Sequence, residues 1–254
     1  MNQALVIAEM IVLRSLRNRM IPALLIISLP IIIAAYGFDA ANPGFQTLFV
    51  KDVGSLMIAW FSLLLTLFLF TDNIYRSSCD NEFWFLRSRV KSRLVFYAGQ
   101  FLGILSSLFF GILCFSTIFF VFLRFTHRVW FFELLAAAWM NFLECSVLLA
   151  FMIFLSSFLS RLLTLSIGVL VYFVANVHVF QSVREVNFID TAGFALSLLL
   201  SVFPDSSLFA ADKFIFEQQS VLSLDILIST FYAFFMVCFY LIAAELVSGR
   251  KSAR

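Results

Sequence analysis

The sequence predicts an all-α polytopic membrane protein with six transmembrane helices, and three observations carry that prediction. Hydrophobic residues make up 63% of the chain and charged residues only 13%, too little polar surface to cover a soluble globule. Apolar runs recur near 20–37, 55–71, 94–123, 131–159, 162–181 and 221–247, and a helix needs about 20 such residues to cross a hydrocarbon core of roughly 30 Å. A polar island, Asp72 to Arg93 (DNIYRSSCDNEFWFLRSRVKSR), interrupts the second and third runs. Residues 1–254 then form a single membrane domain, with a mean hydropathy of +1.03.

The distribution of Lys and Arg orients the chain through the positive-inside rule. With the N-terminus in the cytoplasm, twelve basic residues fall inside: Arg14, Arg17, Arg19, Arg76, Arg87, Arg89, Lys91, Arg93, Arg161, Arg250, Lys251 and Arg254. Five fall outside: Lys51, Arg124, Arg128, Arg184 and Lys213. Both termini are therefore expected in the cytoplasm of a cell (inner) membrane. The apolar run near the N-terminus lacks a small-residue cleavage site and is read as a retained span. Cys114, Cys145 and Cys238 fall in spans and Cys79 in the cytoplasmic island, so no disulfide or CxxC metal site is expected.

Residues 2–19 begin with an apolar cluster from Leu5 to Leu13 and end in Arg14, Arg17 and Arg19, the pattern of a basic amphipathic helix in the cytoplasmic interface. Pro22 starts or kinks the first span. The alternative is that 2–19 simply extends that span. Residues 38–55 (FDAANPGFQTLFVKDVGS) are rich in turn formers and are expected to be a short external connection. Within the island, Phe83, Leu86 and Val90 recur at helical spacing while Asp80, Glu82, Arg87 and Lys91 take other faces, which predicts a short helix parallel to the membrane. Spans three and four exceed the bilayer thickness and are expected to tilt or project. Ser160–Arg161 marks a tight cytoplasmic turn between spans four and five. Residues 183–220 carry seven charged residues around an apolar stretch, 192–203, too short to cross, so an external or re-entrant piece stopped at Pro204 is expected.

Catalytic signatures are few. Neither GxxxxGK[ST] nor GxGxxG occurs, so the chain has no phosphate-binding loop of its own. His127 and His178 are the two histidines, without the spacing of a zinc hydrolase, and Ser166-Ile167-Gly168 is no nucleophile elbow. No enzyme activity, cofactor or nucleic-acid partner is expected. Ionisable and amide groups inside spans are the functional candidates, because they are costly to place there. Glu144 falls in the middle of span four with Asn141 one turn before it, and Asn176 and His178 lie toward the other end of span five. Two readings stand for them: a polar lining for a substrate path or dimer seam, or hydrogen bonding between neighbouring helices.

The layout resembles the permease subunits of type 2 ATP-binding-cassette exporters. The resemblance rests on a basic N-terminal helix (LRSLRNRM), the island after span two, and a glycine-containing start to span three (FYAGQFLGIL). It implies that the island is a coupling helix seated in a separate ATPase subunit, with Asp80, Glu82, Phe83, Leu86, Arg87, Arg89 and Lys91 at the contact. It also implies short external helices between spans five and six, ATP bound by the partner, and a second permease copy or paralogue completing a dimer. Members commonly carry a glycine-centred acidic sequence leading to a proline before span three; here Asp80, Asn81 and Glu82 keep the acidity without the glycine or the proline. Two other classes of function compete with an exporter permease. One is a gradient-driven secondary transporter using Glu144 and His178 for proton coupling. The other is a membrane scaffold or assembly factor whose polar loops dock partners.

Overall fold

A computed structural model describes residues 3–17, 22–23, 26, 46–76, 92–127, 132–176, 206–209 and 223–251. The described residues form six helices of eight residues or more: α1 (Gln3–Arg17), α2 (Gln46–Phe70), α3 (Arg93–His127), α4 (Phe132–Ser156), α5 (Arg161–Asn176) and α6 (Ser223–Lys251). A π-helical segment, Thr71–Arg76, continues α2, and a 3-10 turn, Ser206–Phe209, precedes α6.

Four of these helices are long and apolar enough to cross a membrane, over Val53–Ile74, Leu94–Phe125, Leu134–Ser156 and Asp225–Ser248. Their outward faces carry large apolar side chains such as Phe125, Leu135, Phe231, Phe234 and Phe235, a surface suited to lipid rather than water. The predicted first span lies outside the described residues apart from positions 22–23 and 26. The fifth is described as α5, 16 residues, and positions 177–181 of its predicted range lie outside the description.

Residue pairings set the direction of each helix. Gly54 meets Phe119, Phe61 stacks on Phe115 with ring centroids 4.3 Å apart, and Leu65 meets Gly111, so α2 and α3 run antiparallel. Phe109 meets Phe142 at 5.4 Å, which turns α4 back against α3. Gly168 faces Met152, and Tyr240 packs on Phe151 and Phe154 at 5.3 and 6.2 Å. Helices α2 to α6 thus alternate in direction. α4 is the hub: 78% of its span is buried, against 22–56% for the other three. Little hydrophobic force acts between helices in lipid, so this centre depends on close packing and on hydrogen bonds.

The turn between α4 and α5 is tight. Leu159 N–H donates to Leu155 O at 2.9 Å and Thr164 N–H to Ser160 O at 2.9 Å, so one helix closes and the next opens within four residues.

Two predicted boundaries need correction. The external connection expected over 38–55 becomes helix from Gln46 onward. Gly54, counted there as a turn former, serves instead as a contact glycine, since a Cβ on it would stand 2.7 Å from the Phe119 ring. At the other end of α2 the polar island begins later than expected. Thr71–Arg76 remain helical, and Asp72, Asn73 and Ile74 are buried rather than solvated. Of the segment 183–220, the described part is the turn Ser206–Phe209. Ser229 Oγ of α6 donates to Leu208 O at 2.8 Å, and Phe209 is buried beside Tyr232, their rings 5.9 Å apart.

Candidate functional site

Two places bring polar chemistry together. The first is the junction where α1 meets α2 and α3. Helix α1 turns Ala4, Ile7, Ala8, Ile11 and Ser15 toward the bundle while Leu5, Leu13 and Leu16 stay exposed on the far side. Against its inner face lie Gly99 and Gly103, one turn apart on α3. A Cβ on Gly99 would stand 3.0 Å from Ala4 O and 3.0 Å from Ile7 Cβ; one on Gly103 would stand 2.9 Å from Ala8 O and 2.7 Å from Ile11 Cβ. The absence of side chains at this spacing lets two helix backbones approach closely. The same helix is tied to α2: Asn73 Nδ2 donates to Ser15 Oγ at 3.2 Å and to Leu69 O at 2.9 Å, both bonds buried. The π-helical turn carries Asn73 into this position, and such turns are frequent at functional sites. Thus α1 grips both helix ends that flank residues 77–92.

The predicted coupling residues Asp80, Glu82, Phe83, Leu86, Arg87, Arg89 and Lys91 all lie in that flanked segment, outside the described residues.

The second place is the middle of the bundle. Ser55, Ser62 and Thr66 are buried along one face of α2. Ser62 Oγ donates to Ile58 O and Thr66 Oγ1 to Ser62 O, each at 2.7 Å, which satisfies both hydroxyls within their own helix. The Thr66 hydroxyl is also in hydrogen-bonding reach of the Cys145 thiol on α4. Glu144, the neighbour of Cys145, is half-buried halfway along the Leu134–Ser156 span and lies near Tyr172 of α5. Asn141 is buried, its Nδ2 donating to Ala137 O at 3.0 Å. Asn176 is the last residue of α5, and His178 lies outside the described residues. Among the described residues no cluster of His, Cys, Asp and Glu is arranged to hold a metal ion.

Sequence reasoning singled out Glu144 and Asn141 but not their surroundings. Tyr172 reaches Glu144 through helix packing that spacing alone does not encode. The junction was not singled out, although Gly99-x-x-x-Gly103 is a helix-contact spacing visible in the sequence. Its partner is not, since nothing in residues 3–17 names the helix they press against.

The apolar helices packed round α4 define a helical membrane protein. No protein family, characterised protein or solved structure matches the chain.

Proposed function

We propose that the chain is the permease subunit of an ATP-binding-cassette exporter, a six-span protein that forms a translocation path while a separate ATPase subunit supplies the energy. Both termini would lie in the cytoplasm, and a second copy or paralogue would complete the path. The observation that carries this reading is the junction at α1. A loop that transmits force from a soluble partner must be anchored in rigid elements, and here the helices on both sides of 77–92 are locked to one another through α1 by the Asn73–Ser15 bond and the Gly99 and Gly103 contacts. Movement of that loop would then shift α2 and α3 as one body. The alternation of α2 to α6 supports the orientation. It gathers Arg14, Arg17, Arg76, Arg93, Arg161, Arg250 and Lys251 at the α1 end, against Lys51 and Arg124 at the other, among the described residues.

The test is affinity purification of the tagged chain from its native membrane in mild detergent, with mass spectrometry and an ATPase assay on the eluate. A stoichiometric ATPase subunit is expected, and combined Arg87→Glu, Arg89→Glu and Lys91→Glu should release it while the chain stays folded. An intact chain that reproducibly purifies without any ATPase overturns the proposal.

Glu144 favours a second reading, a gradient-driven transporter, because a carboxyl group halfway across a span beside Cys145 and Tyr172 suits proton coupling. That reading expects uptake or efflux in sealed vesicles driven by a pH gradient without ATP, lost in Glu144→Gln.

A further inference from the structure

The turn Ser206–Phe209 precedes α6 in the chain but sits beside the interior of that helix. Asp225 opens the apolar span Asp225–Ser248, and a carboxylate is tolerated at a membrane surface far better than in hydrocarbon. Counted from Asp225 at about 1.5 Å per residue, Ser229 lies about 6 Å into the span and Tyr232 about 10 Å. Ser229 Oγ donates to Leu208 O at 2.8 Å, and the Phe209 and Tyr232 rings are 5.9 Å apart. These two contacts put the turn below the end of α6, within the first third of a hydrocarbon core of roughly 30 Å.

Irregular backbone is tolerated at such depth only where protein buries it or water reaches it. Here protein buries it: Phe209 is 2% exposed within the apolar core, and the turn packs on α4 and α5 as well as on α6. Ser229 differs from the hydroxyls around it. Thr230, the next residue, donates to Ile226 O of its own helix at 2.7 Å, as Thr66 and Thr117 do within α2 and α3. Ser229, itself buried, instead reaches out of α6 to a carbonyl 21 residues away in the chain. A carbonyl left without a donor in hydrocarbon is costly, so this bond holds the turn at its depth.

We propose that Ser206–Phe209 is a re-entrant strap rather than an external connection, with Ser229 as its latch and Phe209 as the plug that seats it between α4, α5 and α6. Without the latch, Leu208 O finds a donor only in water, so the turn rises toward the membrane surface and draws Phe209 out of the core. The strap lies at the end of the bundle away from α1, and its release is a local change that leaves α6 in place. The inference stands on this packing alone and does not depend on what the protein transports or on an ATPase partner.

The test uses the full chain in phosphatidylcholine vesicles, with Cys79, Cys114, Cys145 and Cys238 replaced by alanine and a nitroxide attached at Leu208→Cys. Collisions with oxygen, which dissolves in hydrocarbon, and with a water-soluble nickel chelate report its depth. Labels at Asp225→Cys, Leu227→Cys and Phe234→Cys, all exposed positions of α6, calibrate the scale. The Leu208 label is expected at a depth between those of the Leu227 and Phe234 labels. Ser229→Ala should raise its nickel-accessible fraction roughly fivefold, the scale of one hydrogen bond, and Ser229→Thr, which keeps the hydroxyl, should leave it unchanged. Phe209→Ala should raise it further than Ser229→Ala does. The proposal is overturned if the Leu208 label meets nickel as freely as the Asp225 label, if its depth is the same with Ser229→Ala and Phe209→Ala as without them, or if the α6 labels move with it.

Discussion

Gly103 has no side chain where Ile11 presses against it: a methyl group there would stand 2.7 Å from Ile11 Cβ and 2.9 Å from Ala8 O. Neither neighbour is free to retreat, since one is backbone and the other is the branched carbon next to it. Gly103→Ala is therefore expected to lower stability by about 1–3 kcal/mol, the usual scale of overpacking, and to loosen α1. Gly168→Ala meets only the side chain of Met152, at 3.0 Å from Cγ and 3.1 Å from Sδ, and a thioether chain adapts. Thermal unfolding of both variants in one detergent compares them, and equal losses would contradict this account.

The bond from Asn73 to Ser15 is the polar half of the same junction. Ser15→Ala and Asn73→Ala should each destabilise. The double variant should lose less than their sum, with a coupling of about 0.5–1.5 kcal/mol, as for one hydrogen bond. Denaturation of the four members of the cycle measures it, and strict additivity would mean that the bond adds nothing.

Gly54 and Phe119 make a size pair between α2 and α3. Gly54→Ala places a methyl 2.7 Å from Cε1 of the Phe119 ring and should cost about 1–3 kcal/mol. Phe119→Leu removes the ring carbons concerned, so the double variant should recover part of the loss. A double variant worse than the sum of the singles would place the strain elsewhere.

Tyr240 and Phe235 separate burial from composition on one helix. Tyr240 is fully buried against Phe151 and Phe154, whereas Phe235 is 71% exposed. Tyr240→Ala should leave a cavity and cost about 3–5 kcal/mol. Phe235→Ala should stay within about 0.5 kcal/mol, the range for surface positions. Melting temperatures of the two variants decide whether α6 is held through its buried face.

Much of the fold was legible because a backbone in hydrocarbon must satisfy its own hydrogen bonds, and an apolar run of about 20 residues does so as a helix, so long apolar runs declare α2, α3, α4 and α6. The same rule is blind to ends. Gly54 and Asn73 both lie in stretches whose composition resembles connections, yet both are helical, one packed against Phe119 and the other bonded to Ser15. At the candidate sites the sequence marks a carboxyl in mid-span, Glu144, but not its neighbour Tyr172 on α5.

By itself the sequence determined that this is a helical membrane chain, where most of its long helices fall and which groups are costly to bury, since each of these follows from local composition and the solvent. Only the tertiary structure decided that α4 is the hub and that α1 bridges α2 and α3. Those outcomes depend on which helix faces meet. In lipid, where almost every face is apolar, that choice is made by the fit of small residues against large ones, and such fit exists only between segments far apart in the chain.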